Sequence, residues 1–99
     1  MVVVLARIKA RREFADEVAG HFRDLVAWIA DNEASTLTYA CNRSQADPGE
    51  FVFFERYADM ASFHAHSQSA RFGELIAKLQ GKLTAAPEIT MLDEVAAKL

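Results

Sequence analysis

The chain has 99 residues, of which 52 % are hydrophobic and 25 % charged, with a formal net charge of -3 and one cysteine. This bounds it to one soluble globular domain over residues 1–99, short enough to bury only roughly 60 to 70 % of its unfolded surface. The acidic balance argues against nucleic acid as a partner, a lone Cys41 excludes an internal disulfide, and no apolar run approaches the ~18 residues that span a bilayer. No basic n-region followed by an apolar stretch and a small-residue cleavage site is visible, so the cytoplasm is the expected location.

Met1 to Ala10 is rich in β-branched residues and alternates, with Val2, Val4, Ala6, Ile8 and Ala10 on one face. This predicts a strand whose far end, Arg7 to Arg12, is a solvated basic run. From Glu13 the apolar period lengthens to that of a helix, through Phe14, Val18, Phe22, Leu25 and Ile29, ending near Asp31-Asn32. Ser35 to Asn42 alternates again, with Leu37, Tyr39 and Cys41 on one face. Asp47-Pro48-Gly49 is a turn that leads into the next strand, Phe51 to Tyr57. That strand sets Phe51, Phe53, Glu55 and Tyr57 against Val52, Phe54 and Arg56, and is apolar enough on both sides to be central. Asp59 is a candidate N-cap for a short helix through His66. Ser67 or Ser69 restarts a longer helix, with Phe72, Leu75, Ile76, Leu79 and Leu83 as its buried stripe. Ala86-Pro87 ends that helix, and Glu88 to Val95 reads as the last strand.

The order β-α-β-β-α-α-β is that of an α+β, ferredoxin-like fold, with helices on one face of a four-stranded antiparallel sheet. The other face would carry exposed apolar side chains, and a patch of several hundred Å² marks an interface. The expectation is a homodimer packed through its sheet faces.

Titratable groups collect beside apolar walls only between Glu50 and Phe72. His66 is the first candidate for general acid/base work, because imidazole as a class titrates near pH ~6.5; the structural alternative is a histidine that satisfies a helix end. His64 lies two positions away, about 200° around a helix, so the pair forms no His-x-His metal site. Glu55 interrupts an aromatic strand and must be hydrogen-bonded, ion-paired or neutral. Its first reading is a carboxylate satisfied by backbone N–H groups or a cross-strand partner, with general base as the second. Arg56 faces the other way and cannot be its partner. Tyr39 and Tyr57 are candidate donors to a substrate oxygen; Trp28, Phe63 and Phe72 are candidate pocket walls, each with ordinary core packing as the alternative. No glycine-rich dinucleotide turn and no His/Cys/carboxylate cluster at metal spacing is present, so no cofactor and no metal are expected.

Four stretches, in order, resemble the antibiotic biosynthesis monooxygenase family of dimeric α+β barrels. They are the Val-rich first strand; Glu33 with Tyr39 six residues on; Phe-Val-Phe-Phe-Glu55-Arg-Tyr57; and His66-x-x-Ser69-x-x-Phe72. Ala34-Ser35 departs from the family's Pro-Gly, which leaves the turn into the second strand open. The resemblance implies an oxygenase without metal or flavin, in which a polycyclic or quinol-like phenol is deprotonated between sheet and helices and its anion reacts with dioxygen. In the haem-degrading branch of the superfamily the matching Asn, Trp and His positions are Ala6, His66 and Ile76 here, so the resemblance implies no haem. Two other readings stand beside the monooxygenase: a cofactor-free isomerase or tautomerase using the same His66 and Glu55, and a non-catalytic dimer that holds a small apolar aromatic ligand.

Overall fold

A computed structural model describes all 99 residues. Strand β1 (Val2–Lys9) leads through a 3-10 turn at Arg12–Phe14 into helix α1 (Ala15–Asn32). Strands β2 (Thr36–Arg43) and β3 (Glu50–Tyr57) form the central hairpin. Two shorter helices, α2 (Met60–Ser67) and α3 (Ala70–Lys78), precede strand β4 (Glu88–Asp93). The sheet is antiparallel in the order β2-β3-β1-β4, the ferredoxin-like α+β arrangement.

The alternation of β1 and β3 decides which face is covered. Val4 pairs with Glu55, Ala6 with Phe53 and Ile8 with Phe51, and these side chains are buried beneath the helices. The apolar stripe of α1 closes over them: Phe22 sets its ring edge-on against Phe51 and Phe53, with centroids 5.1 and 4.8 Å away. Edge-to-face pairs of this kind add to area burial because the positive rim of one ring meets the negative face of the next. On the uncovered face Phe54 and Leu92 are 38 % and 41 % exposed, and Leu5 and Val52 are half-buried. Arg56 lies on this face too, buried, and donates from Nε and Nη2 to Glu94 Oε1 at 3.0 and 2.7 Å. The basic run at the end of β1 is ion-paired in part, Arg7 with Glu50 at 3.1 Å and Lys9 with Asp47 at 3.4 Å.

Four elements depart from the expected bounds or register. The α1 period begins after the 3-10 turn, at Ala15, rather than at Glu13. In β2 the register slips between Thr36 and Thr38, so that Leu37 is the extra residue of a bulge and is half exposed instead of joining Tyr39 on the covered face. The slip pairs Thr36 with Tyr57 and so brings Thr36 into phase with the helix side. Finally, α3 stops at Lys78 rather than continuing to Ala86-Pro87. Gly81 takes φ +74°, a left-handed conformation that glycine adopts without steric cost, and Leu83 bridges to Ala10 instead of extending the helical stripe. Strand β4 is correspondingly short, ending at Asp93 rather than Val95.

Candidate active site

Helix α2 exists to hold one side chain. Asp59 caps it, its carboxylate accepting from the Ser62 N–H at 2.8 Å and the Ser62 hydroxyl at 2.7 Å, and the last turn of the helix points His66 inward. His66 is 4 % exposed whereas His64 is exposed, as the 3.6-residue period requires. The chain then restarts at Ser69, whose hydroxyl accepts from the Phe72 N–H at 3.1 Å. That cap fixes Phe72 against the imidazole, with centroids 5.0 Å apart, which gives the His-x-x-Ser-x-x-Phe spacing a physical basis. The rings of Tyr39 and Tyr57 lie at 5.0 and 5.6 Å from the same imidazole.

Polar contacts orient this ring. Nδ1 of His66 is 2.9 Å from Glu33 Oε1, and the same oxygen accepts from the Thr36 hydroxyl at 2.8 Å. A carboxylate acceptor places the proton on Nδ1 and the lone pair on Nε2. Nε2 makes no hydrogen bond within the chain, and the one buried polar side-chain atom without a partner is Arg71 Nη1, so Nε2 opens on accessible space. The Glu33–Thr36 contact depends on two local features. A turn closes from Glu33 C=O to the Thr36 N–H at 3.1 Å despite the Ala34-Ser35 departure, and the Leu37 bulge turns Thr36 toward the helices.

The space beneath α2 and α3 is a cavity of about 160 Å³. Its wall is mostly apolar, with Phe53, Phe63, Phe72 and Leu75 prominent, and the polar groups on it belong to Tyr39, Glu55, His66 and Ser67. The two leading sequence candidates therefore meet in one chamber. Glu55 is 5 % exposed and accepts from the Tyr57 hydroxyl at 2.6 Å, so its partner sits two residues along its own strand rather than across the sheet or on a backbone N–H. Burial pushes its carboxyl up to about 7, against the Tyr57 hydrogen bond, which lowers it, and with the Glu33 charge, which raises it further. Burial and the charges of Glu55 and Glu33 raise the Tyr39 and Tyr57 hydroxyls above the ordinary tyrosine range. Both phenols stay protonated, so each keeps an O–H to donate.

One candidate donor, Tyr57, and one candidate wall, Trp28, do not line this cavity. Tyr57 is fully buried behind Glu55 and touches Phe63 and His66 without reaching the cavity. Trp28 lines a separate, more polar cleft of about 360 Å³ on the other side of His66, together with Glu33, Asn32, Ser35, Ser62 and Ser69. In the sequence Glu33 stands out only through the family resemblance, because nothing in its neighbourhood along the chain announces a histidine 33 residues on. A third depression, of about 370 Å³ between α1 and β2, contains Arg23, Arg43 and Cys41; burial pushes the Cys41 thiol up to about 11, too high for a thiolate nucleophile at neutral pH. No three His, Cys, Asp or Glu side chains come together at metal-binding distance, and no helix is long and apolar enough to cross a membrane.

Residues 1–78 match the sequence profile of a family described as antibiotic biosynthesis monooxygenase. None of the curated proteins matches the chain significantly. A crystal structure of an antibiotic biosynthesis monooxygenase is 28 % identical over 97 % of this chain and 100 % of its own, with a TM-score of 0.89. A Caulobacter crescentus protein provisionally described in the same words is 30 % identical over 96 % of this chain and 90 % of its own, with a TM-score of 0.90. A Nitrosomonas europaea protein of unknown function shares the fold at 23 % identity, a TM-score of 0.86, and coverage of 99 % and 92 %. The matched segment, β1 through α3, supplies Glu33, Tyr39, Glu55 and His66, and by that match the chain belongs to the antibiotic biosynthesis monooxygenase family.

Proposed function

We propose that the chain is a monooxygenase that takes a single-ring phenol or hydroquinone into the chamber under α2 and α3. His66 Nε2 removes a hydroxyl proton, and the electron-rich anion reacts with dioxygen. One oxygen atom enters a ring C–H position and the other leaves as water, all four electrons coming from the substrate as hydroquinone becomes hydroxyquinone. The observation that carries this reading is an imidazole that lines an apolar cavity, with Nδ1 anchored on Glu33 and Nε2 without a partner in the chain. A dry wall favours this chemistry, since water would quench the reactive anion. The volume supports one ring rather than several, as a cavity of about 150 Å³ is filled by benzene. Glu55 and Tyr39 would hold the second substrate oxygen, Glu55 being protonated about half the time near neutrality and Tyr39 always a donor.

The reading asks for no co-reactant beyond dioxygen. An oxygen electrode with a panel of one-ring hydroquinones should register uptake that persists with chelator present, and His66→Gln should lower it by about 10²-fold or more, the usual share of a positioned base. Absence of uptake across the panel would overturn the oxygenase assignment, and turnover continuing under argon would replace it with an isomerase. The working unit in this reading is a homodimer, supported by the uncovered sheet face around Leu5, Val52, Phe54 and Leu92.

A further inference from the structure

His66 borders two spaces at once. One is the apolar chamber; the other is the polar cleft on its far side, and the Glu33 carboxylate opens only on the second. The two nitrogens of an imidazole point in widely different directions, so with Nδ1 held at 2.9 Å by Glu33, which lines the cleft and not the chamber, Nε2 points away from Glu33. Among the other walls of the cleft, Asn32, Ala34, Ser35 and Ala65 are exposed residues, which puts bulk water within it. Glu33, His66 and the chamber thus form a line from solvent to the substrate position, with one partition of two side chains.

We propose that Glu33 and His66 form a proton relay that joins the dry chamber to water in the outer cleft, with Glu33 as the positioning and transfer residue. The proposal rests on the reading of His66 as the base. An imidazolium left beside the phenolate can hand the proton straight back, and the relay carries that proton away to water. In the outward step the substrate O–H bond breaks and an Nε2–H bond forms, the Nδ1–H proton passes to Glu33, and Glu33 releases a proton to cleft water. After the anion has transferred electrons to dioxygen, the flow reverses. Nε2–H protonates the reduced oxygen, and Nδ1 takes its proton back from Glu33, which is refilled from the cleft. The two half-cycles return the imidazole to its starting tautomer without rotation of a ring that Tyr39, Tyr57 and Phe72 pack on three sides. Thr36 keeps the shared Glu33 oxygen in line throughout.

The test uses 4-nitrophenol, a one-ring phenol inert to dioxygen whose anion is yellow, bound to the intact protein and subjected to a pH jump in a stopped-flow instrument. Re-equilibration of the bound phenol requires a proton to cross between chamber and bulk. In the unmodified protein the yellow band should relax at a rate independent of ligand dissociation. Glu33→Ala should slow it at least tenfold, with recovery on adding formate, a carboxylate small enough to occupy the vacated place in the cleft. Glu33→Gln, which keeps the cleft wall filled, should be slow and unresponsive to formate. Relaxation in both variants as fast as in the unmodified protein would overturn the relay while leaving the base assignment intact. A bound phenol that never ionises in the unmodified protein would overturn the base assignment and the relay with it.

Discussion

Glu55 retains a proton at a pH where a free glutamate has long lost it, because its carboxyl is buried under α2 and has only one neutral donor, the Tyr57 hydroxyl, to compensate the lost water. The sign of the consequence follows from linkage. A folded-state value of about 7 against 4.5 for the ordinary side chain means that the folded chain binds the proton more tightly, so this contribution is complete below pH 4.5 and is lost as pH rises through about 7. The loss amounts to on the order of 3 kcal/mol at 1.36 kcal/mol per pH unit. Glu55→Gln should therefore flatten the melting temperature between pH 4.5 and 8 and leave the variant more stable than the parent at pH 8, as thermal melts across that range would show. An unchanged slope in the variant would place the titrating group elsewhere. At this scale the sequence singles out Glu55 and His66, since a carboxylate in an aromatic strand and a histidine at a helix end are conspicuous. It did not reveal their partners. Glu33 reaches His66 across 33 residues, and the Tyr57 hydroxyl donates to Glu55.

Helix α2 is eight residues long, below the length at which a helix is stable on its own, so its cap and its packing must hold it. Asp59→Ala removes both acceptor contacts to Ser62 and should cost about 1 kcal/mol in urea denaturation. Since the same helix aims His66, the variant should also lose affinity for 4-nitrophenol. At the far end of the sheet, a Cβ on Gly49 would lie 2.6 Å from the Ala10 carbonyl oxygen, and that backbone is itself tied by the Ala10 N–H donating to Gly49 C=O at 2.7 Å. Gly49→Ala should destabilise by about 1–3 kcal/mol, the range for an overpacked site, with the midpoint shifted and the denaturant slope unchanged. Helix α1 and strands β1 to β3 are legible from their apolar periods, and α2 and α3 from the Asp59 and Ser69 caps. The Leu37 bulge and the early stop of α3 were not. The bulge is decided by cross-strand register, which alternation along one strand does not carry, and the stop comes from the left-handed turn at Gly81 and the Leu83 bridge to Ala10, while Pro87 lies several residues further on.

As a whole molecule the chain has one covered and one uncovered sheet face, and the uncovered one holds both exposed Phe54 and the buried Arg56, ion-paired with Glu94. A second copy packed against it would shield the apolar side chains. Light scattering on a size-exclusion column should give twice the chain mass at micromolar concentration, and Phe54→Glu should shift it to monomer by placing a charge in the joint. A monomeric parent protein would contradict that assembly. The fold class and this open face were readable in advance because they follow from element order and two-sided apolarity alone. The chamber beneath α2 was readable only as a region, since its volume depends on how α3 crosses the sheet.

The claim beneath all of this is that the chamber strips the proton from a phenol, and the visible spectrum of bound 4-nitrophenol tests it most directly. At a pH below the ligand's own ionisation, the unmodified protein should turn the bound phenol yellow and His66→Gln should bind it colourless. Binding without colour in the unmodified protein, or equal colour in the two, would contradict the account.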